Sequence, residues 1–582
     1  MKNNIEKELK KQIKLERKLK APWTRFYGDV PAHINYPDMM MWELVDDAAK
    51  MYPNYVALEY FGVEITYSKM MDLIHEAARS LKALGVTKDD VVTICAPNMP
   101  QSVVLFYAIN MVGAIANMIH PLSAEKEIEK YLSISGSTYI FAIDISCDKI
   151  LNILHNTKLK KIVVMTANDK MPKMMSAVYW LVSGRKTKID YDRDNILSYR
   201  DFIDFGYMFE DEYMCKRNVY DPAVILYSGG TTGKPKGILL SNNNFNSLGI
   251  QSHLMADPSK AGDSVLSIMP IFHGFGLGVC IHTPLVCGMK CILLPQFNYK
   301  KFGNLIKKYK PNFIAGVPTL FEGLLKNKDI KKNDMASVTC VVSGGDLMSG
   351  ELKNRIDKFM FDHGSNAKVR VGYGLTEGCA ASCLTPTNEY RDGSIGIPFP
   401  DTYYKIVKIG THDEVEPGED GEICIHGPSV MMGYVNDVSE TMQTLRVHED
   451  GLLWLHTGDI ASMDADGFVY FKQRLKRLII SSGYNVYPSY IENVICMHPS
   501  VLTCTVIGID HPYKVQVAKA YIVLKEGIKP SSKIESEIKD LCKKNLAKYS
   551  LPAEYEFRDS LPKTLVGKVA YRDLEQENKK SE

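Results

Sequence analysis

The chain reads Ser228-Gly229-Gly230-Thr231-Thr232-Gly233-Lys234-Pro235-Lys236-Gly237 immediately after an apolar run at residues 223–227. Glycines let a backbone approach an anion closely, and hydroxyl groups and lysines complement negative charge. The spacing differs from the P-loop of nucleoside triphosphatases, because Pro235 stands where that loop has Ser or Thr. The stretch predicts a polyphosphate-binding loop at the end of a buried strand. The competing interpretation is a glycine-rich surface turn.

Working outward from this loop, short apolar runs alternate with segments of helical periodicity. Residues 42–52 and 67–84 have helical apolar spacing. Runs of strand length occur at residues 91–96, 139–143, 291–294, 313–317 and 338–342. Strands that alternate with helices are typical of sheets covered by helices. We therefore predict an α/β fold.

The pattern changes from about residue 403, where short strand-like runs are separated by turns at 418–421 and 464–467. This indicates a β-rich subdomain. Beyond residue 474, strands and helices as far as residue 546 are sufficient for a small α+β domain of about a hundred residues. We expect a charged leader at 1–20, a large domain at 21–474 and a small domain at 475–582.

Composition excludes several classes of protein. The 582 residues exceed what one hydrophobic core supports, so at least two domains are expected. With 70 basic and 68 acidic residues, the chain has no charge excess that would favour nucleic acid as a partner. Thirteen cysteines without a CxxC pair favour reduced thiols in a cytoplasm. The apolar residues 102–119 contain two asparagines, so a buried helix is favoured over a membrane span.

A second motif, Gly372-Tyr373-Gly374-Leu375-Thr376-Glu377-Gly378, follows a strand-like run at 368–371. Its aromatic ring, hydroxyl and carboxylate suit base stacking, phosphate contact and a magnesium ligand. Taken alone, the motif could equally be a β-turn with an exposed tyrosine.

Together these motifs resemble the adenylate-forming superfamily, which comprises acyl-CoA synthetases, luciferase-like enzymes and the adenylation domains of peptide synthetases. Other segments match in the family's order: Pro270-Ile271-Phe272-His273, Gly316-Val317-Pro318-Thr319, Ser343-Gly344-Gly345-Asp346, His456-Thr457-Gly458-Asp459, Arg474-Leu475-Lys476, 483–488 and 562–568. The match runs from about residue 22 to 572. It implies two αβα-layered subdomains and a β-rich subdomain in the large domain, followed by a small mobile domain.

The resemblance also assigns roles. Tyr373 would stack on adenine, Thr376 would contact the α-phosphate and act in catalysis, and Asp459 would accept the ribose hydroxyls. Glu377 and Thr232 would hold Mg²⁺. The expected nucleotide site comprises Ser228, Gly229, Gly230, Thr231, Thr232, Gly233, Lys234, Gly344, Gly345, Asp346, Gly372, Tyr373, Gly374, Thr376, Asp459 and Arg474.

Two lysines in the small domain carry distinct implied roles. Lys568 matches the lysine that bridges the substrate carboxylate and ATP, where its ammonium would stabilise the charge that develops on the phosphate oxygens. Lys476 matches the hinge about which the small domain reorients between half-reactions. Without the resemblance, residues 474–477 are simply a basic, solvent-exposed stretch.

For the acid, the resemblance points to a pocket that includes His273, Gly274, Gly316 and Val317, with His273 also a catalytic candidate. The glycines of His273-Gly274-Phe275-Gly276-Leu277-Gly278 suggest space for an apolar tail. The amino-terminal residues 23–37 resemble those of bacterial long-chain fatty acid–CoA ligases.

We therefore expect an ATP-dependent acyl-CoA synthetase that uses Mg²⁺ and coenzyme A and acts on a medium- or long-chain fatty acid. An aromatic or sterol-like acid, an enzyme that loads a carrier protein, and a non-catalytic ligand-binding relative remain alternatives. We expect a cytoplasmic enzyme. Residues 171–188 combine apolar and basic side chains, which leaves open a weak contact with the inner membrane face or packing on the protein itself. A homodimer is also left open.

Overall fold

The computed structural model describes residues 14–16, 18–166, 194–228, 235–256, 259–296, 301–481, 484–563 and 569–581. The chain forms two compact units. The large unit consists of Met1–Tyr404, Ile425–His456 and Asp466–Phe468, and the small unit of Lys405–Cys424, Thr457–Ala465 and Val469–Glu582. The α/β class predicted from the sequence is confirmed.

The large unit contains two extended sheets whose central strands are parallel. The eight-stranded sheet has the order β19-β9-β8-β4-β3-β5-β6-β7. Its strands are β3 (Val91–Cys95), β4 (Ile115–Met118), β5 (Tyr139–Ile143), β6 (Lys161–Met165), β7 (Ile196–Ser198), β8 (Pro222–Ser228), β9 (Lys236–Ser241) and β19 (Gly433–Tyr434). Only its β8–β9 and β9–β19 pairs are antiparallel among the described strands.

The nine-stranded sheet has the order β16-β15-β14-β13-β12-β10-β11-β1-β2. Its strands are β1 (Val56–Tyr60), β2 (Val63–Thr66), β10 (Ser264–Ser267), β11 (Lys290–Leu293), β12 (Phe313–Gly316), β13 (Cys340–Ser343), β14 (Val369–Tyr373), β15 (Cys383–Leu384) and β16 (Ile397–Pro398). Strands β1 and β10 to β14 run parallel, which brings their carboxyl ends to one edge. Parallel strands need crossover connections, and helices provide them here.

The helices of the large unit are α1 (Met41–Met51), α2 (Tyr67–Ala83), α3 (Pro100–Met111), α4 (Glu125–Ser135), α5 (Cys147–Ile153), α6 (Tyr199–Gly206), α7 (Asn242–Met255), α8 (Thr283–Val286), α9 (Phe302–Tyr309), α10 (Pro318–Leu325), α11 (Gly350–Asp362) and α12 (Val438–Thr444). Several begin with a side-chain cap. Thr66, for example, accepts a hydrogen bond from the backbone N–H of Lys69 at the start of α2.

The expectation of one buried helix over residues 102–119 is wrong in its extent. Helix α3 is fully buried but ends at Met111, and residues 115–118 form strand β4. Gly113 lies between them with φ +78°, and a Cβ there would come within 2.8 Å of Cys215 Sγ. A left-handed residue ends the helix and turns the chain into the strand. Among the described residues, the longest apolar helical stretches fall short of what crossing a bilayer requires.

A third sheet follows the parallel sheets along the chain. Its strands are β17 (Tyr403–Val407), β18 (Gly421–His426), β20 (Leu445–Val447), β21 (Leu453–Met463) and β22 (Val469–Arg474). They have the order β17-β18-β21-β20, and β22 pairs antiparallel with β21. The β-rich character predicted from residue 403 onward is confirmed.

The carboxyl-terminal part of the small unit has its own sheet and core. Its strands are β23 (Ile479–Ser481), β24 (Tyr484–Val486), β25 (Val501–His511), β26 (Val515–Leu524) and β27 (Glu554–Phe557), in the order β24-β23-β26-β25 with β27 beside β26. The helices are α13 (Pro488–Cys496), α14 (Ser532–Asn545) and α15 (Tyr571–Ser581). Apolar residues of α13, α14 and the long β25–β26 hairpin form a buried cluster that includes Ile491, Val506, Ala520 and Ile538.

Candidate functional site

Three of the expected site segments meet at the carboxyl edge of the nine-stranded sheet. Gly316 pairs with Ser343, and Ser343 pairs with Val371. The Gly344 N–H donates to the Gly316 carbonyl at 3.0 Å. The segments that begin at Gly316, Gly344 and Gly372 are therefore neighbours, although they are separated by long stretches of sequence. The carboxyl edge of a parallel sheet is where α/β proteins most often bind ligands.

Several positions at this edge need glycine, because neighbouring backbone atoms lie where a side chain would be. A Cβ on Gly344 would lie 3.3 Å from the Gly372 carbonyl oxygen, and one on Gly374 would lie 1.8 Å from the Ala380 carbonyl oxygen. Gly345 has φ +79°, in the left-handed region that side chains disfavour. The Asp346 side chain that follows is exposed, and its Oδ1 accepts from the Leu347 N–H at 2.9 Å.

The Gly372–Gly378 motif leaves strand β14 and enters a single 3₁₀ turn, Thr376–Gly378. Two non-glycine residues after it, Cys379 and Ala380, have positive φ values of 55° and 93°. The Ser382 N–H donates to the Tyr373 carbonyl at 3.0 Å and closes the loop. Backbone strain of this kind is often concentrated at functional sites.

Tyr373 is half-buried beside another aromatic ring. Its ring meets that of Tyr404 edge to face, with the centroids 6.5 Å apart and an interplanar angle of 80°. The Tyr404 hydroxyl forms a 2.7 Å hydrogen bond with Ser382 Oγ. The geometry leaves Tyr373 partly accessible, as stacking on a planar ligand would require.

Glu377 joins the two large sheets. Its Oε1 accepts hydrogen bonds from Ser228 Oγ at 3.2 Å and from the Tyr434 hydroxyl at 3.1 Å. Burial, together with the Glu377 carboxylate, raises the pKa of Tyr434, so this phenol remains a donor. The backbone carbonyl of Glu377 accepts from the Met431 N–H at 2.8 Å. Hydroxyl and carboxylate oxygens are the ligands that Mg²⁺ favours, so this group of side chains fits such an ion.

The predicted polyphosphate loop begins and ends at described residues. Strand β8 carries Ser228 at its carboxyl end, and β9 begins at Lys236, which pairs with Ser228. The Lys236 ammonium forms an ion pair with Glu440 and lies 4.8 Å from the Tyr434 ring centroid. Residues 229–234 lie outside the described residues. The roles of six residues therefore remain predictions: Gly229, Gly230, Thr231, Thr232, Gly233 and Lys234.

Asn98, which sequence reasoning missed, links the loop after β3 to the segment after β10. Its amide nitrogen donates to the carbonyls of Ser267 at 2.8 Å and Met269 at 2.9 Å, and its Oδ1 accepts from the Ile271 N–H at 2.7 Å. This contact fixes the strand end that leads to His273. The available signal was the position of Asn98 two residues after the apolar run 91–96.

His273 begins the helical segment that follows. The backbone N–H of His273 donates to the Pro270 carbonyl at 3.0 Å. The imidazole ring lies beside the ring of Phe272, with the centroids 5.2 Å apart. The ring of His120 also lies beside Phe272, with the centroids 4.3 Å apart. Burial lowers the pKa of His120, which favours its neutral form. Neither His120 nor Phe272 was singled out as a site residue from the sequence.

The interpretation of Gly274, Gly276 and Gly278 as space for an apolar tail is wrong. A Cβ on Gly276 would lie 2.0 Å from the Pro270 carbonyl oxygen, and one on Gly278 would lie 2.4 Å from Leu248 Cδ2. At Gly274 the neighbour is Ala380 Cβ at 3.2 Å. Phe275–His282 forms a π-helix, and protein atoms occupy the space beside its glycines.

In the small unit, Asp459 and Arg474 face each other on strands β21 and β22. Asp459 is fully buried, and its Oδ1 lies 2.9 Å from Arg474 Nε. The preceding turn is held by Glu422, whose Oε1 accepts from the Gly458 N–H at 2.9 Å. These two residues of the expected nucleotide site are therefore paired with each other, with the carboxylate buried and the guanidinium partly exposed.

Lys476 lies in a one-turn 3₁₀ segment, Leu475–Arg477, between strands β22 and β23. The adjoining Arg477 pairs with Glu492 of α13 at 2.5 Å. Lys568 lies outside the described residues. The loop that contains it is bracketed by an antiparallel bridge between Lys563 and Val569, and by a 2.8 Å hydrogen bond from the Ala570 N–H to the Pro562 carbonyl.

Comparison with known proteins identifies the family. The model of the AMP-binding enzyme family matches residues 45–435, and that of the AMP-binding enzyme C-terminal domain matches residues 490–568. A long-chain-fatty-acid–CoA ligase of Bacillus subtilis is 32% identical over 565 residues, which cover 96% of this chain and 98% of that protein.

Two solved structures extend the comparison. The o-succinylbenzoate CoA synthetase of Bacillus subtilis, in complex with its acyl-adenylate intermediate, superposes with a TM-score of 0.74 at 26% identity, covering 92% of this chain and 98% of that one. The anthranilate CoA ligase AuaEII, in complex with anthranoyl-AMP, has a TM-score of 0.79 at 24% identity and covers 95% and 98%. Since the family match spans well over half of the 582 residues, this chain belongs to the AMP-binding enzyme family.

Proposed function

We propose that this protein is a fatty acid–CoA ligase that forms acyl-AMP and pyrophosphate from an acid and ATP, and then acyl-CoA and AMP. The family and the named relatives support the coarser statement, that the chain is an AMP-forming acid–thiol ligase. One observation carries the proposal for this chain. Ser228, at the start of the polyphosphate loop, and Glu377, of the second motif, are hydrogen-bonded to each other.

In this proposal, the carboxyl edge of the nine-stranded sheet binds the nucleotide. Tyr373 stacks on adenine, the turns at Gly344–Asp346 and Gly372–Gly374 admit the base and phosphates, and Thr376 contacts the α-phosphate. Asp459 accepts the ribose hydroxyls, with Arg474 beside it. Hydrogen bonds to a carboxylate are charge-assisted, so they favour a defined sugar orientation.

In the first half-reaction, a carboxylate oxygen of the acid attacks the α-phosphorus of ATP and pyrophosphate leaves. Lys568 supplies a positive charge where negative charge accumulates. Glu377, with Thr232, would hold Mg²⁺, which neutralises phosphate charge when bound. Ser228 and Tyr434 fix the orientation of the Glu377 carboxylate through its Oε1.

In the second half-reaction, the thiol of CoA attacks the acyl carbonyl and AMP leaves. We propose that the small domain, residues 475–582, reorients relative to the large domain, residues 21–474, between the two steps. Lys476 is the proposed hinge. A hinge is a short segment whose backbone angles absorb the change. The proposal is supported by the position of Lys476 in a single 3₁₀ turn, Leu475–Arg477, between strands β22 and β23. His273, Gly274, Gly316 and Val317 are proposed to border the acid.

A medium- or long-chain fatty acid is the proposed substrate, on the strength of the Bacillus subtilis relative and of residues 23–37. The second candidate is an aromatic acid, which is favoured by the two structural neighbours named for anthranilate and o-succinylbenzoate. A cytoplasmic location, a homodimer and a weak membrane contact through residues 171–188 remain predictions, and 171–188 lie outside the described residues.

Pyrophosphate release from ATP across a panel of acids tests the proposal. The panel comprises acetate, octanoate, palmitate, benzoate and anthranilate, each with and without CoA. We expect octanoate and palmitate to give the highest kcat/KM and CoA to be needed for multiple turnovers. A preference for benzoate or anthranilate would favour the aromatic candidate, and a single turnover that CoA does not extend would favour the carrier-loading alternative.

A further inference from the structure

Two cysteines of the small unit lie side by side across a contact between a helix and a strand. Cys496 is the last residue of α13, Cys504 lies on β25, and their Sγ atoms are 3.7 Å apart. Cys496 is exposed, whereas Cys504 is buried. A disulfide has an S–S distance of about 2.05 Å, so the sulfurs need to approach by only about 1.6 Å.

The two thiols differ in acidity, and the exposed one, Cys496, is the more acidic. The pKa of Cys496 is lowered, chiefly by its hydrogen bond with the Cys504 thiol. The same hydrogen bond, together with burial, raises the pKa of Cys504. Because the thiolate is the nucleophile, Cys496 is suited to react first with an oxidant from solvent, and Cys504 to resolve the product.

The other described cysteines with a shifted pKa provide a contrast. Cys280 and Cys291 are also neighbours, since Cys291 Sγ donates to the Cys280 carbonyl at 3.6 Å. Both are buried, however, and burial raises the pKa of Cys280 to about 12. Among the described cysteines with a resolved shift, Cys496 is the one whose pKa is lowered. Exposure and acidity therefore coincide at the cysteine that has a thiol neighbour.

We propose that Cys496 and Cys504 form a redox modification site, at which a hydroperoxide produces a reversible internal disulfide. The Cys496 thiolate attacks the terminal oxygen of the peroxide, so that an S–O bond forms, the O–O bond breaks and an alkoxide or hydroxide leaves. Cys504 sulfur then attacks Cys496 sulfur, so that the S–S bond forms and the S–O bond breaks. The Cys504 proton leaves with the hydroxyl group as water. Two thiols lose two electrons, and the peroxide gains them.

Oxidation would also alter the surroundings of Glu492. The Glu492 carbonyl accepts from Cys504 Sγ at 3.4 Å, and its Oε1 accepts from the Val506 N–H at 2.8 Å. The same carboxylate pairs with Arg477, next to the proposed hinge. A disulfide removes the S–H that donates to the Glu492 carbonyl. The modification therefore changes the hydrogen bonding of Glu492, which contacts both β25 and Arg477.

Peptide mass spectrometry of the full-length enzyme tests the proposal without reference to catalysis. Because residues 478–513 contain neither Lys nor Arg, trypsin releases residues 478–514 as one peptide, and its two cysteines are Cys496 and Cys504. After treatment with hydrogen peroxide and then N-ethylmaleimide, we expect this peptide to lack both adducts and to be lighter than the reduced peptide by two hydrogens. Dithiothreitol before alkylation should restore both adducts.

Variants assign the two roles. C504S should stop at a sulfenic acid on Cys496 that dimedone traps, and C496S should leave Cys504 fully alkylated. C215S, which removes a partly exposed thiol of the large unit, should form the disulfide as the wild type does. The wild-type result alone can overturn the proposal. It would do so if the peptide kept both adducts after peroxide, or carried a sulfinic acid on Cys496 beside an alkylated Cys504.

Discussion

Ser228 Oγ and Glu377 Oε1 are 3.2 Å apart, although Ser228 ends a strand of the eight-stranded sheet and Glu377 follows a strand of the nine-stranded sheet. Both residues were identified from separate motifs, and 148 residues of sequence stand between them. Their contact brings the residue at the start of the predicted polyphosphate loop to the proposed metal-binding carboxylate. The same oxygen also accepts from the Tyr434 hydroxyl, so its orientation depends on three segments of the chain.

Tyr434→Phe should weaken adenylation by about tenfold, since hydrogen bonds to charged groups contribute about 1.5–3 kcal/mol. The loss should appear in acid-dependent ATP–pyrophosphate exchange, and the Mg²⁺ concentration for half-maximal exchange should rise. Tyr67→Phe is the matched control, because the Tyr67 hydroxyl is also buried and donates to the Met289 carbonyl at 2.7 Å. Equal exchange rates and equal Mg²⁺ dependence for Tyr434→Phe and wild type would exclude a role for Tyr434 in orienting Glu377.

Gly374→Ala should destabilise the large unit by about 3 kcal/mol, because the added methyl group would overlap the Ala380 carbonyl oxygen and the backbone would have to move. Gly378→Ala in the same loop is the control. Its nearest neighbour is the flexible Leu375 side chain at 3.3 Å, so a small adjustment accommodates it. Urea denaturation followed by tryptophan fluorescence would measure both. Equal urea midpoints for Gly374→Ala and Gly378→Ala would contradict the close approach of the Ala380 carbonyl to Gly374.

A buried histidine should make stability depend on pH. His282 accepts from the Tyr107 hydroxyl at Nδ1 and donates to Asn246 Oδ1 from Nε2, and burial lowers its pKa to about 3. Below its ordinary pKa of about 6.5, the unfolded chain binds a proton that the folded chain does not, so stability falls as the pH decreases toward 3. Between pH 7 and pH 5.5, this histidine should account for a loss of about 1 kcal/mol.

Urea denaturation of wild type and His282→Gln at the two pH values measures that loss. The variant will be less stable at pH 7, because Tyr107 loses its partner, but it should lose about 1 kcal/mol less than wild type when the pH is lowered. Replacing the exposed His155 by Gln should leave the wild-type pH dependence unchanged. Parallel pH profiles for wild type and His282→Gln would contradict the prediction.

Lys568→Ala should reduce acid-dependent ATP–pyrophosphate exchange by about 100-fold or more, while ATP binding changes little, because the charge of this lysine matters most as negative charge develops. Lys563→Ala, at an exposed position five residues earlier, is the control and should retain exchange. Exchange within about threefold of wild type in Lys568→Ala would remove this lysine from its proposed role.

Much of the fold could be predicted from local sequence, because periodicity and turn residues act over short distances. The run at 139–143 is strand β5 with the same limits, and the apolar run 223–227 extends by one residue at each end as β8. Residues 102–119 were harder, because a buried helix and a buried strand are both continuously apolar. Gly113 marks the boundary, but its left-handed conformation is known only from the fold.

For Glu377 and Tyr373, residue type and motif suggested a chemical role from the sequence, and those roles remain predictions. Asn98 and His120 were missed because their importance comes from contacts with segments far away in the sequence. The glycines at 274–278 were misjudged for a related reason. A glycine can make room for a ligand or for the protein's own backbone, and Gly276 does the latter, with the Pro270 carbonyl in that space.

The most direct test of the proposed reaction follows the oxygen atoms of the acid. Octanoate labelled with oxygen-18 at both carboxylate positions is incubated with the enzyme, ATP, Mg²⁺ and CoA, and the products are analysed by mass spectrometry. If the carboxylate attacks the α-phosphorus and CoA then displaces AMP, AMP should carry one labelled oxygen, octanoyl-CoA the other, and pyrophosphate none. Unlabelled AMP, or label in inorganic phosphate or pyrophosphate, would contradict an acyl-adenylate intermediate and with it the central claim.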